Sequence, residues 1–244
     1  MISISKRELF IKSFELFKKN AQFVINIGIL LFVIQHMIPI IIGMLFPAYS
    51  IPYFIFHITY LVVTTTISLW AIMQILQILR EQATDSFKSL FIYFPKVFQA
   101  IAGSFIITFS LVILGMIVLL TTSSIDMSAE NITMEMLLQS ITNSTIGIIV
   151  VLGYCIGATY LWIKAYFFIY YIVDQNLGAI QAIKKSLDMT TGYEGDLFVL
   201  WISTICMNFL GILLYGIGLL FTLPYTLILL SMFYTKYLCA IKES

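Results

Sequence analysis

The chain is 244 residues long, 61% hydrophobic and only 10% charged, with a formal net charge of +1 and a mean hydropathy of +1.02. A soluble domain takes roughly 25% of its residues from the charged types, so this composition cannot coat a water-facing surface, and the charge balance gives no reason to expect a nucleic-acid partner. Lipid is the alternative solvent. There only helices and closed barrels pair every backbone polar group, and the long unbroken apolar runs of this chain lack the alternation of a barrel strand.

The segment before the first apolar run is basic and amphipathic. It carries Lys6, Arg7, Lys12, Lys18 and Lys19, with Phe10, Phe14, Phe17 and Ala21 on one helical stripe. Ser5-Lys6-Arg7-Glu8 is a capping-box pattern that would start this helix. No cleavable signal peptide is expected, because the apolar run that follows is too long for one. A span needs about 20 apolar residues. The first is expected over about 21–46, with Gln35, His36 and Pro39 inside it, and the second over about 51–79, with His57. Phe87, Phe91, Phe94 and Phe98 then repeat the amphipathic spacing ahead of a third span at about 97–120. A polar stretch follows with Asp126, Glu130, Glu135 and the glycosylation-like Asn131-Ile132-Thr133. The fourth span, about 144–163, contains Gly153 and Gly157 at a helix-packing spacing and ends at Lys164. An aromatic run, Tyr166 to Tyr171, suits the headgroup level. Ile180, Ile183 and Leu187 mark a third amphipathic helix. The fifth span, about 197–221, holds Asn208, and Pro224 marks a turn before the sixth, about 223–238.

The fold class expected is therefore all-α: a polytopic transmembrane bundle of about six spans with short interfacial helices, as one integral membrane domain over 1–244. Lys and Arg are retained on the cytosolic side of short loops. With both termini cytosolic, all 13 basic residues face the cytosol and the opposite loops carry none.

Two groups of residues are candidates for function. Lys164 is a cation at the end of an apolar span, next to Tyr166, Tyr170 and Tyr171. It is a candidate ligand for an anionic phospholipid headgroup, with Lys184 and Lys185 in support and Asp174 as a competing partner. Gln35, His36, His57 and Asn208 form a candidate intramembrane polar site, since such groups are costly in lipid and mark function. Cys155, Cys206 and Cys239 are odd in number and read as buried thiols, with no disulfide or zinc pattern. No cofactor or metal is implied. His-Glu-x-x-His, Gly-x-Ser-x-Gly and P-loop patterns are all absent from the sequence.

The segment Val173-Asp174-Gln175-Asn176-Leu177-Gly178 leads to Ala182-Ile183-Lys184-Lys185-Ser186-Leu187 and then Thr190-Thr191-Gly192. Later come Gly216-Ile217-Gly218, Pro224, Tyr234 and Leu238. Over roughly residues 170–240 this pattern resembles a bacterial group of six-span membrane proteins of unknown function. That group includes the membrane domain fused to glycerophosphodiester phosphodiesterases. The resemblance implies the bacterial plasma (inner) membrane, and it implies no phosphodiesterase activity, because that domain is absent. The loop itself reads as a helix on the membrane, closed by a left-handed cap at Gly192. Such a helix also suits docking to a cytosolic partner. The function expected is a non-catalytic integral membrane protein associated with phospholipid or assisting a cytosolic or membrane partner. A transporter or permease subunit is the alternative, and an intramembrane enzyme stands behind both.

Overall fold

The structure is a computed structural model that describes residues 6–47, 50–82, 87–122, 145–214 and 216–239. Among these residues every regular element is helical. Helix α1 (Lys6–Lys19) precedes the first span, which consists of α2 (Ala21–Phe32), a π-helical segment (Val33–Met37) and α3 (Ile38–Leu45). The second span is α4 (Ile51–Leu79). A 3-10 segment (Phe87–Tyr93) runs directly into α5 (Phe94–Thr122), the third. The fourth is α6 (Thr145–Ala165) followed by α7 (Phe168–Gln175). Then come α8 (Ala179–Met189), α9 (Glu194–Leu213) and α10 (Leu219–Phe233), which continues as a π-helical segment (Tyr234–Cys239). Among the described residues six helices are long and apolar enough to cross a membrane. The acidic stretch with Asp126, Glu130 and Glu135, the Asn131 acceptor tripeptide and the Ser5 cap all lie outside the described residues.

Proline shapes two spans. Pro39 has no N–H and its ring crowds the carbonyl four residues back, that of Gln35. The helix widens to a π turn just there, and the Tyr60 hydroxyl from α4 donates to the Gln35 carbonyl at 3.4 Å. In lipid a carbonyl without a donor is expensive, so this contact ties the first span to the second. Pro224, expected at a turn, lies inside α10 instead. The turn includes Gly216, which takes φ +78, ahead of Leu219. The Leu220 carbonyl that Pro224 cannot satisfy is approached by α2: a Cβ added at Gly28 would lie 2.5 Å from that oxygen and 2.7 Å from Pro224 Cγ.

The charged ends of the spans, hereafter the basic end, are the densely packed part. Its centre is α7, where Phe167, Phe168, Tyr170, Tyr171, Ile172 and Val173 are buried. Phe167 stacks on Phe233 at 5.6 Å, and Tyr170 and Tyr171 each meet Tyr234 at 5.1 Å. Toward the opposite end Met44, Ile51, Ile146 and Leu214 are exposed, while Phe46 stacks on Phe56 at 4.6 Å and the Tyr154 hydroxyl donates to the Leu111 carbonyl at 2.6 Å.

The interfacial helices depart from expectation. Helix α1 is docked on the last span, with Leu9 and Ser13 buried. Ser13 Oγ donates to Met232 Sδ at 3.4 Å, and the Tyr225 hydroxyl donates to the Phe10 carbonyl at 3.3 Å. Phe14, in the predicted stripe, is about half exposed. The second such helix is no separate α-helix, since 3-10 turns feed α5 without a break. In α8 the buried face is Ala179, Ala182 and Ser186, while Ile180 points outward. Small side chains allow that helix close to its neighbours. Ser186 Oγ donates to the Lys164 and Ala165 carbonyls at 2.7 and 3.1 Å, which satisfies acceptors left open where α6 ends.

Two further expectations are corrected. A Cβ at Gly153 or Gly157 would meet nothing within 4 Å, so that pair faces outward and packs no helix here. Cys155 and Cys206 are exposed rather than buried. In a membrane the outward face is apolar too, so an apolar sequence context does not imply burial.

Candidate functional site

The basic end holds a polar network built on the end of α7. Asp174, nearly buried, receives both guanidinium nitrogens of Arg80 at 2.6 and 2.9 Å. The Tyr234 hydroxyl donates to its second oxygen at 2.9 Å. Lys185 donates to the Gln175 side chain and stands 5.4 Å from the Tyr171 ring. Lys96 donates to the Val173 carbonyl at 2.8 Å. These bonds join the second, third, fourth and sixth spans and α8. Asn176, with φ 54, supplies the left-handed residue that ends α7, and Gln99 Oε1 accepts the first amide of α8, Ala179, at 2.8 Å. Gly178 has ordinary dihedrals, whereas Gly192, read as a left-handed cap, does take φ +92.

Lys164 belongs to a different cluster. Its ammonium lies 3.4 Å from Glu194 Oε1 and donates to Thr191 Oγ1 at 3.0 Å. Glu194 Oε2 accepts the Gly192 amide at 2.9 Å, and the Tyr160 hydroxyl donates to Oε1 at 3.4 Å. Asp174, the partner anticipated for Lys164, is taken by Arg80 and Tyr234. Above the Lys164–Glu194 pair, between α6 and α9, runs an apolar groove of about 350 Å³. Its walls include Ile156, Ile163, Leu197 and Phe198.

The predicted lipid-binding residues are thus divided. Lys164 sits at the foot of this groove. Tyr170 is 1% exposed, so it is a core ring and no headgroup collar. The correction has a physical basis: a turn at 166–167 redirects the chain, and α7 enters the bundle instead of lying on it. Tyr166 is half-buried and lines two other cavities. Lys184 is exposed on α8, and Lys185 is committed to the α7 network. Glu194 and Thr191 were missed. An acidic residue in the first turn of a helix, as Glu194 is in α9, was the available signal.

The predicted polar site also divides. Gln35 lines a cavity of about 480 Å³ with the hydroxyl residues Tyr60, Thr64, Thr65 and Ser68. Asn208 lines an adjoining cavity of about 490 Å³, where its buried Oδ1 has no protein partner. Tyr166, Leu223, Thr226 and Leu230 border both. His36 packs 5.3 Å from Phe32, and His57 stacks on Tyr53 at 4.6 Å. Each histidine is held by an aromatic neighbour and lines neither cavity. Among the described residues no group of three or more His, Cys, Asp or Glu could hold a metal ion. Outside the spans, the hydrogen bond and charge of Lys12 hold the Glu8 carboxyl below its ordinary range, with a smaller pull from Lys236.

Among the described residues, six long apolar helices define a multi-pass α-helical membrane protein. Residues 5–239 match the family described as "Protein of unknown function (DUF975)". The chain belongs to that family. No curated protein and no solved structure matches it.

Proposed function

We propose that this chain is a non-catalytic integral protein of the bacterial plasma membrane that holds phospholipid against its membrane-embedded surface, with both termini cytosolic. The observation that carries the reading is the groove between α6 and α9: apolar along its walls and closed at one end by a Lys–Glu pair. Its volume, about 350 Å³, falls in the usual range of ligand pockets, roughly 300–1,000 Å³. A groove open to a bilayer fills with acyl chain, and a cation at its foot meets the headgroup layer. One such contact contributes on the order of 1 kcal/mol. Kinship with the membrane domains fused to glycerophosphodiester phosphodiesterases is part of this proposal. It rests on the Asp174-to-Gly192 segment and suits a protein working among phospholipids. The outward face of α8, with Ile180 and Lys184, supports a cytosolic or membrane partner protein. The test is native mass spectrometry of the protein extracted in mild detergent. Retained phospholipid is the expected result; a lipid-free protein under conditions that keep it helical would sink the reading.

A second reading, a transporter or permease subunit, is favoured by one observation. The first span is broken by a π turn at its middle, and Gln35 from that turn lines a hydroxyl-rich cavity. Interrupted helices beside polar midplane residues are a transporter feature. Liposomes carrying the protein should then pass a small neutral solute, and Gln35→Leu should lower the flux. Liposomes no leakier than protein-free ones would remove this alternative.

A further inference from the structure

We infer that the foot of the α6/α9 groove selects a phospholipid whose headgroup carries both a phosphate and a primary ammonium; this rests on the lipid-holding reading above. Lys164 and Glu194 together are neutral, so a headgroup with negative charge alone would meet attraction from one and repulsion from the other. The pair is also loose. At 3.4 Å it is longer than a tight charge-assisted bond of about 2.7–2.9 Å. A dipolar headgroup laid antiparallel to it satisfies both charges, phosphate toward Lys164 and ammonium toward Glu194.

The surrounding donors sharpen the choice. The Thr191 hydroxyl accepts from Lys164 and gives its own hydrogen to the Leu187 carbonyl at 3.0 Å, so it fixes the ammonium at the foot of the groove and leaves the phosphate to Lys164. Glu194 Oε1 is held by the Tyr160 hydroxyl and by Lys164, both at 3.4 Å, and so has capacity to accept more strongly from an ammonium. A carboxylate accepts hydrogen bonds. A primary ammonium can donate them, and a quaternary one has no N–H to give. Lys164 is 11% exposed and Glu194 37%, so the carboxylate is the more open of the two. The apolar walls lead directly to this pair, which fixes acyl chain and headgroup in one ligand.

The experiment uses the full-length protein in detergent with an equal mixture of phosphatidylethanolamine, phosphatidylcholine and phosphatidylglycerol of identical acyl chains. Native mass spectrometry reads the retained lipids. Wild type should retain phosphatidylethanolamine over the other two by on the order of fivefold, the size of one charge contact. Glu194→Gln should move the preference to phosphatidylglycerol, because Lys164 then stands without an opposing charge. Ile156→Trp, at a wall residue 72% exposed and so tolerant of change, should abolish the ethanolamine excess by filling the groove. Equal retention of the three lipids by wild type overturns the headgroup inference and leaves the lipid-holding reading intact. A wild-type preference for phosphatidylglycerol does the same. Retention of no lipid overturns both. The wild-type comparison needs no variant, so the inference stays falsifiable if Glu194→Gln does not fold.

Discussion

At the scale of single residues, the bonds around Asp174 should matter most for stability. Its carboxylate receives two bonds from Arg80 and one from Tyr234, and it is nearly buried. Hydrogen bonds to a charged group contribute about 1.5–3 kcal/mol, and loss of a partner also leaves the other desolvated. Asp174→Asn should therefore lower the thermal midpoint in detergent clearly. Tyr234→Phe should do so less, because it removes one bond of the three. Equal midpoints for wild type and Asp174→Asn would show the network to be ornamental. Glycine supplies a second contrast. Gly28→Ala would push a methyl against a carbonyl oxygen and a proline ring, neither of which can move away cheaply. Overpacking of this kind costs about 1–3 kcal/mol. Gly153→Ala meets open space and removes a residue unfavourable in helices by about 0.8–1.0 kcal/mol relative to Ala. The first should destabilise and the second should not. The reverse order would mean that α2 and α10 do not meet as described.

At the scale of elements, α1 is the informative case. Its Glu8–Lys12 pair, one turn apart, is solvent-facing, while Leu9 and Ser13 are buried on α10. A nitroxide at Ser13 should be immobilised and shielded from water-soluble relaxants, and one at Lys12 should be mobile. Leu9→Ala should detach the helix at a cost of about 2–5 kcal/mol. Equal mobility at positions 12 and 13 would return α1 to the membrane surface as a free amphipathic helix. Its position on the last span brings the start of the chain against its end, which no neighbour relation along the sequence suggests. Helix α8 makes the same point. One of its two isoleucines, Ile180, is outside, and its smallest residues are inside.

At the scale of the whole molecule, the distribution of charge leads to a topology that is testable without any ligand. With Cys155, Cys206 and Cys239 replaced, Lys184→Cys should label only from the cytosolic side and Glu130→Cys only from the opposite side. Cytosolic labelling of position 130 would invert the proposed orientation and move the Lys164–Glu194 pair to the outer leaflet. The charged bonds that join several spans lie at the basic end, around Asp174 and Lys164.

Hydropathy is a sum over some twenty neighbours, so the helical class, the six crossings and the clustering of basic residues at one end were all legible along the chain. Gly192 was legible as a left-handed cap. The rest required the tertiary structure for one physical reason. Lipid tails are as apolar as a protein core, so no hydrophobic force separates the inner face of a span from its outer face. The usual contrast between polar outside and apolar inside is missing. Cys155 and Gly153, both in apolar sequence, face outward, and the aromatic run from Phe167 to Tyr171, which reads as an interface belt, is the core. Pairing of charges depends on distances between spans that the sequence does not encode locally. Asp174 went to Arg80, 94 positions away, and Lys164 to Glu194, 30 positions away. Close approach of backbones and the choice of partners for a few polar groups decided both.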